Sequence, residues 1–347
     1  MTTSFALRLG LALALVVGAC SGRDSEPAAA ALPPCPDPNL LACSGLYGEH
    51  GESWATRAIA PDVLAYEPGL QFWSDGLTKT RYLRLPPGTR IDTTDPDGWI
   101  FPIGTSFWKE LSWQGRRIET RLMQKVTDQA WYFMAFAWNA DGSDAIAVRD
   151  GQRNVPGTEG DAYEIPSARD CFTCHGGRPD KVLGFETLAL SLPAARGLRL
   201  EELAARGLVT TPLAPLAIPG DATAQAALGS LHVNCGVACH NPTPGALASW
   251  TGMYLRLDHD ALDSVDHTRT FLTTVGVPSA YEPPAPGPFF RIAPGDIAHS
   301  AIAYRDAQRG TPAQMPPLAT HRVDRDGLAQ VEAWIESLRP APHDAGP

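Results

Sequence analysis

The chain lacks a basic run: Asp and Glu number 38 against 28 Lys and Arg, for a net charge of −10. That removes the electrostatic footprint of a nucleic-acid-binding protein, so no nucleic-acid partner is expected. Long apolar runs are missing too. The longest candidate, Leu9 to Val17, is shorter than the roughly 20 residues a membrane-spanning helix needs. Methionine is scarce, with five in the chain including Met1. Hydrophobic residues nevertheless make up 44% of the sequence, enough for packed cores and too many for a generally disordered chain. Gly and Pro, at 32 each, predict a loop-rich protein, and 347 residues leave room for two domains.

Cysteine is the informative minority, at seven residues. Residues 1–19 read as an export signal: Arg8 supplies the positive end, Leu9 to Val17 the apolar region, and Gly18 and Ala19 the small residues before Cys20. Val17-Gly-Ala-Cys20 resembles a bacterial lipoprotein signal, which would leave Cys20 as a lipidated N-terminus. The alternative is an ordinary signal peptide with a coincidental cysteine. Ser21 is compatible with outer-membrane sorting. Setting Cys20 aside leaves three pairs. Cys35 and Cys43 enclose a short Pro-rich loop and read as a disulfide in an oxidising compartment.

The second pair lies in Cys171-Phe-Thr-Cys174-His175, a C-x-x-C-H run that reads as a c-type haem attachment site. Two cysteines three positions apart come to one side of a helical turn, where both sulfurs can bond the haem vinyl groups. His175 then supplies the proximal nitrogen. The competing readings are a thioredoxin-like redox pair and half a zinc site. The third pair lies in Cys235-Gly-Val-Ala-Cys239-His240, with one residue more than the usual spacing. Haem attachment stays feasible if the extra residue bulges out; a disulfide and a zinc site are the alternatives. Met315, in Met315-Pro-Pro ahead of a C-terminal helix, is the best distal ligand for this second haem. The first haem has no obvious distal partner, with His232, His259, His267, His299 and His321 as options.

The expected fold class is α+β multidomain: an N-terminal antiparallel β domain, sandwich-like, followed by an α-helical cytochrome c-like haem domain. After the signal (1–19) comes a tether (20–60), then the β domain (61–165), with strands at 80–85, 99–103, 106–113, 117–124, 130–138 and 145–148. Turn signals at Gln114-Gly115 and Asp141-Gly142 separate them. A first haem-attachment segment (166–218) contains a helix at 199–208. The last domain (219–340) opens with a helix capped by Asp221, carrying Ala224, Ala227, Leu228 and Leu231 on one face. A helix at about 327–338 closes it, and the Pro-rich stretch 278–288 is a loop.

Taken together, the motifs resemble an uncharacterised bacterial family of predicted di-haem c-type cytochromes with an N-terminal β domain. The matching stretches are Phe72-Trp-Ser-Asp-Gly-Leu-Thr-Lys79, Leu85-Pro-Pro-Gly88, Trp99-Ile-Phe-Pro-Ile-Gly-Thr105, Ile118-Glu-Thr-Arg-Leu122 and Tyr163-Glu-Ile-Pro-Ser167. Ile292-Ala-Pro-Gly-Asp296, Met315-Pro-Pro-Leu318 and Gly327 to Ile335 complete the set. Residues 219–340 resemble a class I cytochrome c domain, whose first and last helices cross; Ala227, Leu231 and Trp334 would make that contact. The chain departs from the family at the second motif, where members look like C-x-x-C-H. The resemblance implies two covalently attached haems and electron transfer. The expectation is an exported, lipid-anchored electron carrier facing the periplasm or outer membrane, partnered by a redox protein or membrane electron carrier. A di-haem peroxidase- or oxidase-like enzyme with one open haem, and a redox- or ligand-sensing module, are the alternatives. No catalytic acid–base set is recognisable near either motif. Ser74-Asp75-Gly76 reads as a turn or a ligand site.

Overall fold

Alternating side chains build one sheet. The computed structural model describes residue 35 and residues 37–156, 158, 160, 163–282 and 289–338. The signal, Cys20 and residues 283–288 of the Pro-rich loop lie outside the described residues. The strands are β1 (Leu64–Glu67), β2 (Thr78–Arg84), β3 (Ser106–Trp113), β4 (Arg116–Lys125), β5 (Trp131–Trp138), β6 (Ala145–Ala147) and β7 (Arg196–Gly197). They are ordered β6-β5-β4-β3-β2-β1-β7 with every neighbouring pair antiparallel. Gln114 and Gly115, both at positive φ (48° and 81°), make the tight turn between β3 and β4.

The sheet is open and single, where a sandwich was expected. A second sheet is unnecessary because irregular chain covers both faces. Leu83, Phe107, Met123 and Phe133 pack one face against Trp99, Phe101, Phe185, Leu190 and Leu203. Trp108, Leu122, Met134, Phe136 and Trp138 pack the other against Leu41, Leu46, Tyr47 and Ala60. Residues 41–60, grouped with the tether in the sequence reading, therefore form part of this core. Cys35 and Cys43 are bridged, with Cα atoms 5.4 Å apart.

The 99–103 run is not a strand. Ile100 makes one isolated bridge to Asp92, while Trp99 and Phe101 plunge into the core. The Phe101 amide donates to Asp180 Oδ2 at 2.6 Å instead of to a neighbouring strand, and Pro102 has no amide to offer. β1 and β7 went unpredicted.

Among the described residues seven α-helices follow or flank the sheet: α1 (Ala168–His175), α2 (Thr187–Ser191), α3 (Leu200–Ala205), α4 (Ala222–Leu231), α5 (Arg269–Thr274), α6 (Ala301–Asp306) and α7 (Arg325–Ser337). Asp221 caps α4, accepting from the Ala224 amide at 2.9 Å. Ala224, Ala227, Leu228 and Leu231 are buried with Val331, Trp334 and Ile335 of α7 in one core. Gly327 permits the close approach of the two helices, since a Cβ there would lie 3.0 Å from Ser230 Oγ. The described residues from Cys35 onward belong to one compact unit. Among them, no helix is long and apolar enough to cross a membrane.

Asp180 ties the sheet to the segment after α1. Its Oδ2 accepts from Lys125 Nζ at 2.8 Å and its Oδ1 from Trp131 Nε1 at 2.9 Å. Both charges are almost fully buried, so D180A strands a lysine in the core. It is expected to cost about 3–5 kcal/mol, read as a lowered urea midpoint at unchanged m-value.

Candidate functional site

The first motif forms α1. Ser167 and Asp170 close a capping box, with the Ser167 amide donating to Asp170 Oδ2 at 3.0 Å and the Asp170 amide to Ser167 Oγ at 3.2 Å. The helix seats on β5 through Phe133, whose ring centroid is 4.7 Å from that of Phe172 and 5.1 Å from that of His175. His175 Nδ1 lies 2.5 Å from the Lys181 carbonyl. A carbonyl can only accept, so Nδ1 carries the proton and Nε2 is left with a free lone pair. Burial, then Lys109, push His175 down to about 3, so the ring is neutral.

The second motif continues α4 through a π turn, His232–Gly236. Wider winding absorbs the extra residue: the Val237 amide donates to the His232 carbonyl at 2.8 Å and the His240 amide to the Cys235 carbonyl at 2.8 Å, both five residues back. Asn241 Nδ2 braces the turn by donating to the Gly236 carbonyl at 2.8 Å. Gly236 is required here, because a Cβ would meet Leu255 carbonyl oxygen at 2.4 Å. His240 is buried and held neutral by that burial, which pushes it down to about 4. Its Nδ1 has no hydrogen-bond partner.

The two motifs meet. A Cβ on Gly177, two residues past His175, would lie 1.9 Å from the Ala238 carbonyl oxygen, and one on Gly176 would lie 2.7 Å from that of Gly245. One cavity, open at its mouth, is lined by Cys171, Cys174 and His175 from one motif and by Cys235, Ala238 and Cys239 from the other. All four cysteines are unbridged. Burial raises every one of these thiols, Cys239 to about 12, the reverse of the activated thiolate of a redox-exchange pair. They also build no closed metal cage. Among the described residues, three or more metal-capable side chains converge only at Asp97, His259 and Asp260, a surface group. There His259 already uses its amide and Nδ1 on Asp97.

Met315 sits in the loop between α6 and α7, its amide donating to the Arg305 carbonyl at 3.1 Å and its carbonyl accepting from Arg309 Nη1 at 3.0 Å. Pro316, Leu318, Ala319 and Thr320 line the cavity, whereas Met315 does not. The methionine that does line it is Met123 on β4. None of the five histidines considered for the first distal position lines it. His232 is locked, its Nδ1 accepting from the Leu257 amide and its Nε2 donating to Glu186, each at 2.9 Å. His259, His267 and His299 pair with Asp97, Asp263 and Asp296, and His321 with Glu164.

Two polar clamps hold this arrangement. Asp75, buried with φ 51°, accepts from the His321 and Arg322 amides at 3.0 Å each, and the Trp73 amide donates to Asn234 Oδ1 at 2.7 Å. Ser74-Asp75-Gly76 is thus a turn that fastens sheet to helices. In the other clamp Glu186 bridges Arg178, at 3.1 Å, and His232, joining the segments that flank the two motifs. No family model, curated protein or solved structure matches the chain.

Burial alone would raise Glu186, but Arg178 and His232 together hold it down at about 2 from its ordinary 4.5. The folded carboxyl is the stronger acid, so its stabilisation is full above the ordinary value and lost as pH falls through about 2. E186Q is expected to flatten the acid limb of the stability–pH curve between those values, read by urea unfolding at successive pH. G177A, which drives a methyl into the Ala238 carbonyl, is expected to destabilise by about 1–3 kcal/mol, read by the same assay at neutral pH.

Proposed function

We propose that the protein is a di-haem c-type cytochrome whose two haems, attached at Cys171/Cys174 and Cys235/Cys239, share one cavity and exchange electrons. The observation that carries this reading is the convergence of Cys171, Cys174 and His175 with Cys235 and Cys239 on that cavity, whose lining does not include His240. The donor chemistry suits haem at the first motif: His175 is neutral, oriented through Nδ1, and free at Nε2, the pattern of an iron-ligating imidazole. His240 is neutral and buried, the counterpart at the second motif. Unbridged, protonated thiols in a partly apolar cavity fit thioether formation better than disulfide exchange or zinc. When bound, the haems supply one-electron chemistry. The chain's own residues fix the two attachment helices against each other, exclude water from the buried side and set the charge around each site. Packing of α4 on α7 supports a cytochrome c-like module at 219–340; Met315 stands outside the cavity lining, so no distal ligand is assigned to the second haem.

Residues 1–20 support export and lipid anchoring at Cys20. On this reading the redox site faces the periplasm or the outer membrane, and its partner is a redox protein or membrane electron carrier. Co-expression with a cytochrome c maturation system is expected to yield two covalent haems per chain by pyridine haemochrome. C171A/C174A and C235A/C239A should each retain one. A wild type with one haem, lost in C171A/C174A and kept in C235A/C239A, contradicts the second site.

A further inference from the structure

We propose that Arg81 and Lys109 form a dicarboxylate-binding site at the sheet end of the cavity and receive the two propionates of the haem attached at Cys171 and Cys174. The assignment rests on the di-haem reading above. Strand register puts Arg81 of β2 opposite Lys109 of β3, and Lys109 opposite Arg121 of β4. Directly opposed residues in an antiparallel pair stand only about 4.5–5.5 Å apart, and like charges there repel. Three cations in one row of a largely buried sheet face therefore need anions.

Among the described residues one carboxylate bonds the row directly. Glu119 takes Arg121, accepting from Nε at 2.8 Å and from Nη2 at 2.5 Å. Arg81 is 5% exposed, lies within the field of Glu67, donates Nη2 to the neutral Gln71 Oε1 at 2.9 Å, and leaves Nη1 buried without a hydrogen bond among the described residues. Lys109 has no hydrogen bond or ion pair among the described residues. Burial, then its cationic neighbours, lower it to about 7, so it would lose much of its charge without an anion. Arg81, Lys109 and Arg121 all line the cavity beside Cys171, Cys174 and His175. Two cations with no carboxylate bonded to them directly match the two carboxylates of one haem, and each charge-assisted hydrogen bond would remove a buried-charge penalty. Apolar side chains would serve a merely structural role in this row at lower cost.

The test is resonance Raman spectroscopy of the propionate-bending band in matured wild type, K109Q, R81Q and R117Q, with haem per chain counted in each. Arg117 pairs with Glu110 and does not line the cavity, so R117Q removes a cation outside it. The band should shift in K109Q and R81Q and stay put in R117Q. Haem present with the band unmoved in both cavity variants overturns the proposal. So does a shift on adding inorganic phosphate to the wild type, which would mean the row is open to free anions. Should K109Q fail to mature, K109R is expected to restore haem attachment. Restoration by K109M, or by neither, counts against a charge role. A wild type without haem at Cys171 removes the di-haem reading as well, whereas haem present and an unmoved band removes this assignment alone.

Discussion

The cavity depends on how closely two backbones can approach. Gly176 and Gly177 let the chain leaving α1 lie directly on Ala238 and Gly245, and any side chain there would separate the motifs. Because glycine has no Cβ, the contact is made by peptide groups, which are stiff and leave little freedom in the placement of Cys174 against Cys239. The rest of the structure keeps that contact from opening. Glu186 links the flanks of the two motifs through Arg178 and His232, while Asp75 and Asn234 fasten the β2 approach to the helices.

The sheet's role follows from this. Its outer face carries the segment 41–60, and its inner face is divided between an apolar half, built on Phe107, Met123 and Phe133, and a cationic half, built on Arg81, Lys109 and Arg121. A face that hydrophobic residues could have filled is instead charged where it lines the cavity beside Cys171 and Cys174. Such burial is expensive in the absence of a ligand and becomes favourable when an anion arrives. The sheet is thereby part of the site as well as its support.

Local features were legible in the residues. Alternation in Arg117 to Met123 marked β4, Asp221 and the Ala224/Ala227/Leu228/Leu231 stripe marked α4, and Cys35 and Cys43 proved to be bridged. Features set by distant partners were not. Trp99 to Ile103 has strand composition, yet its amide and rings are claimed by Asp180 and Phe185. The single sheet could not be told from a sandwich because loops and strands offer equally apolar cover. The π turn after α4 depends on Asn241 and Leu255, neither of which signals it in sequence. The cation row and Met123's place in the cavity emerge only from strand register and the seat of α1. Both cysteine–histidine motifs are visible in the sequence, but the cavity their cysteines share rests on glycine contacts separated by some 60 residues in sequence, for which no local signal exists.

Two haems sharing one cavity would be held close enough to couple their optical transitions, which circular dichroism across the Soret band of the fully loaded wild type reads. A two-signed Soret couplet is expected, collapsing to a single-signed band in both C171A/C174A and C235A/C239A. A wild-type spectrum equal to the sum of the two single-haem variants would contradict the shared cavity.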